Sequence, residues 1–587
     1  MFISFYTVVA VSLGLCSTAV ALASIQRNTA NISCRYLPVD KEWPGSTDWD
    51  ALNITVGGNL LRGEPLAQSC YQPHENLAKC AEIRKSWGFD SLYFDDPVNV
   101  MSPFWLNNSC NPFLSSLTNA CTLDNVASYA INVTDAASIM AGIEFTQRKN
   151  IRLSIKNTGH DYLGRSSGKG SLALWTHNLR DMSIIMNYTS SQYSGPAVKI
   201  GAGMQSREVD QIAGKHGLRV VSGLCPTVGL AGGFSQNGGY GQLASLYGLA
   251  ADNVLEYEVV TTDLRHLTAS PSTHADLYWA LSGGGSGNYA IVLSQVVKAH
   301  PDGQVTGATF SLLNTNSTAF WSAIQTWYQQ SPRFNLIPGF SASWIISREL
   351  FRLTAATLPN GTASDLDAIL QDFYQVITEL NMTFVSKTTI VKPSFVDLYN
   401  TLVPPSHADA SFPANNTIGS RLVPTSVVQN NLSDLLDIYQ RILHDETVPG
   451  GVTVVGGTSN NVSHVNIGVD PDSNAVLPAW RNALFTSSAA ISFPDNTTVE
   501  GLQLVQAKVN TWQDWVKDLT PGSGSYINEA TYDNPDWKSD YYGKNYGRLL
   551  QVKKKYDGKF SLWQHTSVGA DTYWQENAEG RLCRLSY

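Results

Sequence analysis

Two glycine-rich stretches carry the residue types in this sequence that could do chemistry. The first, KNTGHDYLGRSSG at 156–168, contains His160, and the second, at 223–253, opens with GLCPTVG and contains Cys225. Glycines at this density let backbone amides approach a ligand without interference from Cβ, and successive N–H groups form a cradle for an anion. The pair predicts a site for a large, phosphate-bearing cofactor, with ordinary turns as the alternative.

Cysteine counting singles out Cys225. Residues 1–23 include Cys16, and their removal would leave seven of the eight cysteines, of which six could form three disulfides in an oxidising compartment. Cys225 is isolated, whereas five others crowd between 34 and 121. It is therefore the predicted odd thiol, although the pairing of the others stays open.

The start of the chain and its composition favour a secreted protein. Residues 1–23 form a short apolar stretch without acidic residues that ends in a small-x-small pattern, which predicts a signal peptide, with a membrane anchor as the alternative. Asn-x-Ser/Thr sequons recur from Asn31 to Asn496, so N-glycans are expected in a secreted or secretory-vesicle protein. A net charge of -9 without a long basic run argues against nucleic acid or an anionic membrane as partner.

Helix and strand patterns alternate in the middle of the chain, which is typical of an α+β or α/β fold. Asp135 can cap a helix, and the runs IRLSI, AVKIGAG, LRVVSG, EYEVVTT and NYAIVLSQVVKAH resemble strands. Later, SDLDAILQDFYQVITEL and YGRLLQVKKKY predict helices. The predicted organisation is a signal peptide at 1–23, a cysteine-rich region at 24–120, and further units at 121–302, 303–521 and 522–587.

Two short motifs match known functional patterns, but the elements around them do not fit those functions. GRSSG at 164–168 matches the G-x-S-x-G of serine hydrolases through Ser166, but a loop enters it and a strand-like run leaves, whereas that elbow needs a strand and then a helix. GGGSGN at 283–288 follows a helix and opens a strand, the reverse of a dinucleotide fingerprint. No spacing of histidines and cysteines predicts a metal site.

Taken together, NTGHDYLG, GLCPTVG with the glycines up to Gly241, YGLAADNVLEYEVVT and DLYWALSGGGSGNYAIV resemble the flavin-binding domain of vanillyl-alcohol-oxidase-type (VAO/PCMH-type) flavoproteins. The berberine-bridge-enzyme-like branch is most similar, especially its fungal secreted, isoamyl-alcohol-oxidase-like members. The resemblance implies an α+β fold, with a PCMH-type FAD-binding domain at 121–302 and a substrate-binding domain with an antiparallel sheet and helices at 303–521. It also implies a berberine-bridge-like segment at 522–587 that returns to the FAD domain, and a disulfide-rich N-terminal extension.

The same resemblance implies covalent FAD, with His160 bonded to the flavin 8α-methyl and Cys225 to flavin C6. A flavin-bound thiol would explain the odd cysteine. Thr158 stands where many relatives have glycine, and Asn237 replaces another, so the fit of the phosphates stays open. The implied cofactor-binding residues are Asn157, Thr158, Gly159, His160, Asp161, Gly164, Ser166, Cys225, Thr227, Gly229, Gly232, Gly239, Gly241, Val254 and Asn528.

A base is needed if the hydride donor is an alcohol. The stretch SYINEATYD resembles a family segment near the flavin in which plant members carry a catalytic tyrosine after the asparagine, and here Glu529 holds that place. Glu529 and Tyr526 are the predicted catalytic residues. Tyr532 is a further candidate, and Glu529 as a solvated surface charge is the alternative.

The expected function is that of an FAD-linked oxidase. It would take hydride from an alcohol or a small metabolite, with a role in fungal secondary-metabolite biosynthesis, and pass the electrons to O2 to give H2O2. An oligosaccharide oxidase with the same doubly attached FAD is the alternative, and a serine hydrolase using Ser166 or a non-catalytic glycoprotein is more remote. The oligomeric state stays open.

Overall fold

The structure is a computed structural model that describes residues 33–114, 121–404, 414–446 and 448–585. The predicted signal peptide at 1–23 lies outside the described residues. Within the described ranges, no helix combines the length and the apolar character that crossing a membrane requires.

The N-terminal region is irregular and held by disulfides. Its α-helices are Ser46–Thr55, Leu77–Ser86 and Ser91–Phe94. The disulfides are Cys34–Cys583, Cys70–Cys80 and Cys110–Cys121. Cys225 remains as the buried free thiol of the described residues, which confirms the cysteine count.

The Cys34–Cys583 disulfide closes a loop of 549 residues, whereas Cys70–Cys80 closes one of 10. A longer loop loses more entropy in the unfolded chain when it is cross-linked. We expect the Cys34→Ser/Cys583→Ser variant to lose about 2–5 kcal/mol of unfolding free energy in denaturant titrations. Cys70→Ser/Cys80→Ser is the matched control, and an equal or larger loss in that control would contradict the prediction.

A four-stranded sheet packs against one helix and positions the first glycine-rich stretch. Asp135 caps helix Ala136–Lys149 by accepting a hydrogen bond from Ser138 N at 2.8 Å, a contact worth about 1 kcal/mol. The helix connects two strands that both pair in parallel with a third lying between them. The strands, in sheet order, are Leu60–Arg62, Tyr129–Asn132, Ser171–Trp175 and Arg152–Lys156.

A five-stranded antiparallel sheet lies next along the chain. Its strands, in sheet order, are Met182–Thr189, Ser194–Gly201, Ile291–Lys298, Val254–Val260 and His266–Ala269. Helices Ser206–Lys215 and Ala275–Leu281 belong to this part of the chain. The predicted strand LRVVSG is shorter than expected, because only Leu218–Arg219 pairs, with His300–Pro301, and the following residues bend into the second glycine-rich stretch.

A seven-stranded antiparallel sheet forms the core of the third part. Its strands, in sheet order, are Phe384–Lys392, Val305–Leu313, Leu350–Pro359, Ser341–Ile346, Val452–Ser459, Ala483–Ser492 and Asn416–Pro424. Its helices are Ser317–Asn335, Ala363–Glu379, Phe395–Leu402, Thr425–Asn430, Leu432–Leu443 and Val499–Leu519. Leu366, Leu370, Phe373 and Ile377 recur on one helix face and are buried in the core with the sheet.

The tail lies on the five-stranded part. Helix Tyr546–Tyr556 contacts helix Ala275–Leu281, and Leu549 and Val552 join the core of that part. A hairpin of Trp574–Glu576 and Leu582–Arg584 ends the described chain. Short helical turns lie at Gln68–Cys70, Leu230–Phe234, Ala244–Tyr247, Ala250–Asn253, His464–Ile467, Pro478–Asn482, Ile527–Glu529, Lys538–Tyr542 and Gly543–Asn545. The predicted α+β class, with an antiparallel sheet and helices beyond residue 303, is confirmed.

Candidate active site

The two glycine-rich stretches meet at His160 and Cys225. The first stretch leaves the end of strand Arg152–Lys156, and the second follows Leu218–Arg219. His160 Nε2 lies 3.9 Å from Cys225 Sγ and 2.8 Å from Thr227 Oγ1. Residues that are 65 positions apart in sequence are therefore neighbours in space.

A buried carboxylate from the N-terminal region completes this cluster. Asp90 Oδ2 accepts a hydrogen bond from Thr227 Oγ1 at 2.8 Å and lies 3.5 Å from His160 Nε2. The Phe94 ring packs against the imidazole of His160, with 4.9 Å between the ring centroids. Sequence analysis missed Asp90, since it lies in the cysteine-rich region and belongs to no motif.

Burial keeps both nucleophilic side chains uncharged. It lowers the pKa of His160 to about 3, and the positive charge of Lys156 acts in the same direction. It raises the pKa of the Cys225 thiol to about 12, against the opposing effect of hydrogen bonding with Thr227. The imidazole is therefore neutral at physiological pH, and the sulfur is a thiol.

Close backbone packing explains several of the glycines. Gly159 has φ +95, a conformation that side-chain-bearing residues rarely adopt. A Cβ on Gly241 would lie 1.9 Å from Ser222 O. Asn157 lies against the second stretch, and its Oδ1 is buried without a hydrogen-bond partner among the described residues.

The donor set fits the predicted cofactor. A neutral imidazole and a thiol lie together at one place, and a buried acceptor on Asn157 lies beside Gly229, where a Cβ would be 2.1 Å from Asn157 Oδ1. Such a site suits a ligand that offers carbon atoms to the two nucleophiles and polar groups to the loops.

Other predicted cofactor residues have structural partners. Asp161 Oδ2 accepts from Ser166 N at 2.5 Å and so closes the first loop. A Cβ on Gly164 would lie 2.3 Å from Trp105 Cγ, and Val254 O accepts from the Tyr278 hydroxyl. Asp161 and Gly164 lie in the same loop as His160, whereas Val254 begins strand Val254–Val260.

The remaining predicted cofactor residues lie in the same two stretches. Thr158 is buried in the first stretch. A Cβ on Gly232 would lie 2.9 Å from Asn157 Cγ, and Gly239, with φ +66, packs against Phe234. These contacts place the first stretch directly against the start of the second.

Glu529 lies in a second cluster, on the turn Ile527–Glu529. Its Oε1 accepts a hydrogen bond from the Tyr240 hydroxyl at 2.8 Å. Burial raises the pKa of Glu529 to about 7, and the bond from Tyr240 opposes this rise. Glu529 is half-buried rather than solvated, which contradicts the surface-charge alternative.

Asn528 connects this turn to the second glycine-rich stretch. Its Nδ2 donates to Tyr526 Oη at 2.6 Å and to Gly233 O at 3.3 Å, and its Oδ1 accepts from Asn237 at 2.6 Å. Burial and the nearby charge of Glu529 raise the pKa of Tyr526 well above its ordinary value. Tyr532 stacks on His565 instead, at 4.6 Å between ring centroids.

Tyr162 links the two clusters. Burial raises the pKa of Tyr162, and the negative charges of Asp90 and Glu529, when these carboxyls are ionised, act in the same direction, so both carboxyls lie within electrostatic reach of its hydroxyl. Tyr162 also lines a cleft of about 270 Å³ that includes space open to solvent. Further lining residues are Phe104, Asn416, Gln506, Ala530 and Tyr532. Tyr162 stands inside the first motif, so its position was the signal that could have found it.

Two other chemistries have less support. Ser166 lies on a loop whose following strand is Ser171–Trp175, so the strand-to-helix elbow of a serine hydrolase is not formed. Ligand atoms of Asp90, His160 and Cys225 lie within 4.8 Å of one another, a spacing that a metal ion could use. The prediction of no metal site remains a prediction.

Comparison with known proteins identifies the family. A domain described as "FAD binding domain" matches residues 127–270, and one described as "Berberine and berberine like" matches 525–569. The VAO-type flavoprotein oxidase VAO615 of Thermothelomyces thermophilus is 38% identical over 97% of this chain and 98% of its own length. The chain belongs to the VAO-type FAD-linked oxidoreductases. The resemblance to the berberine-bridge-like branch is thereby confirmed.

Solved structures agree with this family. The crystal structure of the VAO-type flavoprotein MtVAO615 from Myceliophthora thermophila has a TM-score of 0.88 and 36% identity, covering 94% of this chain and 100% of its own. Glucooligosaccharide oxidase from Acremonium strictum, whose flavin is described as 6-S-cysteinyl, 8α-N1-histidyl FAD, has a TM-score of 0.63 and 20% identity, covering 76% and 92%. At 20% identity, the similarity to glucooligosaccharide oxidase shows a shared fold and nothing more.

Proposed function

We propose that this VAO-type oxidoreductase holds FAD by two covalent bonds, through His160 and Cys225, and oxidises an alcohol or a small secondary metabolite with O2 as acceptor. The 3.9 Å approach of His160 Nε2 to Cys225 Sγ carries the proposal. The cysteinyl and histidyl attachments of the glucooligosaccharide oxidase flavin support it, since the same two residue types converge here.

Bound FAD supplies a two-electron acceptor for hydride. The remaining cofactor contacts are proposed for the backbone around Gly159, Gly229 and Gly239, and for the Asn157 side chain. Two bonds at one edge of the ring would hold it without full enclosure, so a cleft beside it can stay open to substrate. The cleft at Tyr162 is the proposed substrate side.

Glu529 is the proposed base. With a pKa of about 7 it is ionised in a large fraction of molecules near neutral pH, and it can take the hydroxyl proton as hydride leaves the carbon. Tyr240 orients the carboxylate through its hydrogen bond. Tyr526 is less suited, because its raised pKa disfavours the phenolate that a base requires.

Peptide mass and peroxide release test the proposal together. We expect one tryptic species that joins the His160 peptide, FAD and the Cys225 peptide. We also expect H2O2 release with hydrophobic alcohols under air. Protein that lacks flavin absorbance, or that releases all FAD on acid precipitation, would refute covalent attachment. Activity confined to sugars would favour the oligosaccharide oxidase. That alternative has less support, because this chain is 20% identical to glucooligosaccharide oxidase and 38% identical to VAO615.

A secretory location is part of the proposal. Three disulfides suit an oxidising compartment. Amino-terminal sequencing of protein from culture medium should begin after Ala23, and glycosidase treatment should lower the mass by removing N-glycans. Protein retained inside cells with residues 1–23 intact would contradict it.

A further inference from the structure

The hydrogen bonds around Thr227 define which imidazole nitrogen of His160 carries the proton. Asp90, when ionised, can only accept, so the Thr227 hydroxyl proton is donated to Asp90 Oδ2 at 2.8 Å. Thr227 Oγ1 must then accept from His160 Nε2, which lies 2.8 Å away. His160 is therefore the Nε2–H tautomer, and the lone pair that can form a bond is on Nδ1.

We propose that Asp90, acting through Thr227, is a positioning residue that directs covalent attachment of the flavin to His160 Nδ1 and receives the Nε2 proton as that bond forms. The inference rests on the proposed attachment at His160. It assigns a role in cofactor attachment to a side chain from the N-terminal region, outside both glycine-rich stretches.

The chemistry balances with dioxygen as the oxidant. A C–N bond forms between Nδ1 and the flavin methyl carbon, and one C–H bond and the Nε2–H bond break. The two electrons released reduce O2 to H2O2, which takes up two protons; the proton of the C–H bond and the Nε2 proton, which Asp90 first receives and then releases, balance them. Loss of the Nε2 proton through Thr227 to Asp90 leaves the alkylated imidazole neutral, which matters because its surroundings are buried and disfavour a charge.

The fold holds Asp90 firmly in this position. Its side chain is fully buried, and helix Ser91–Phe94 begins at the next residue. Lys156 Nζ donates to Tyr93 O at 3.0 Å and to Asp96 O at 2.7 Å, and Met101 N donates to Gly159 O at 3.0 Å. These bonds fasten the segment that carries Asp90 to the loop that carries His160.

The rate of histidyl-bond formation tests the role. In a Cys225→Ser parent, the histidyl bond is the only proposed covalent link, so the acid-stable flavin reports it alone. Apoprotein from riboflavin-starved cells is mixed with FAD under air, and the acid-stable fraction is followed over time. We expect Asp90→Asn and Thr227→Val in this parent to attach FAD at least about tenfold more slowly, and Thr227→Ser to stay within about twofold of it.

Two further readouts separate this role from a merely structural one. FAD bound before acid treatment, measured by visible absorbance, should be unchanged in Asp90→Asn, and attachment in this variant should quicken as pH rises because hydroxide can replace the carboxylate. Asp90→Asn and Thr227→Val attaching at the parent rate would overturn the inference while leaving the histidyl bond intact. A parent that holds no acid-stable FAD would overturn that bond, and the inference with it.

Discussion

Replacing Glu529 with Gln is expected to lower kcat by about 10²–10⁴-fold at a pH well above 7, the range that a positioned general base contributes. Glutamine keeps the shape of the side chain and can still accept from Tyr240, but it cannot take a proton. The loss should appear in anaerobic flavin reduction by substrate, whereas reoxidation by O2 should be unchanged. Binding of FAD should also be unchanged.

The pH dependence of the wild-type enzyme follows from the same group. A base must be ionised to act, and the pKa of Glu529 is about 7, so kcat should fall as pH drops below that value. Tyr240→Phe removes the donor that favours the ionised form, and this acid limb should then move to higher pH. Glu529→Gln should lose the limb altogether.

Glu500→Gln is the matched control for Glu529→Gln. Glu500 is an exposed carboxylate in the first turn of helix Val499–Leu519, so its replacement should leave kcat within about twofold, as surface changes usually do. A Glu529→Gln enzyme that keeps half of the wild-type kcat would contradict the assignment of the base. Tyr526→Phe would then be the next variant to measure.

Loss of both attachment residues is expected to convert the flavin from fully acid-stable to fully acid-labile. His160→Ala and Cys225→Ser should each retain FAD after acid precipitation, because one bond remains in each. The double variant should release all of it. Absorbance of the precipitate and of the supernatant measures the two fractions.

Ser166→Ala is the control for both attachment variants. Ser166 donates its backbone N–H to Asp161, and alanine preserves that contact, so attachment and oxidase activity should persist. Release of FAD from the Cys225→Ser single variant would show that the histidyl bond is not made. Total loss of an esterase activity in Ser166→Ala would instead favour the hydrolase alternative.

The N-terminal region contributes side chains to the proposed active site in addition to its disulfides. It supplies Asp90 to the His160 cluster and Phe94 to the imidazole face. It also supplies Phe104 to the cleft at Tyr162. A truncation that removed this region would therefore alter the site and not only the stability of the fold.

Local features of this protein were predictable from sequence because they depend on neighbouring residues. Asp135 caps its helix through a hydrogen bond with a residue three positions away. The glycines of the two glycine-rich stretches are recognisable because backbone conformations with positive φ, as at Gly159, favour glycine at those positions. The odd thiol Cys225 followed from the cysteine count together with its isolated position in the sequence. The predicted strand LRVVSG was too long because strand formation depends on a distant pairing partner. Its apolar pattern is strand-like, but only Leu218–Arg219 pairs with another strand.

Long-range contacts were decided only by the tertiary structure. The pairing of Cys34 with Cys583, the approach of Asp90 to His160 and the bond from Tyr240 to Glu529 join residues that are far apart in sequence. No local pattern encodes such pairs, because a side chain's partner depends on how whole sheets and helices pack. Glu529 shows the consequence: its identity is read from the sequence, but its raised pKa arises from burial that the folded chain imposes.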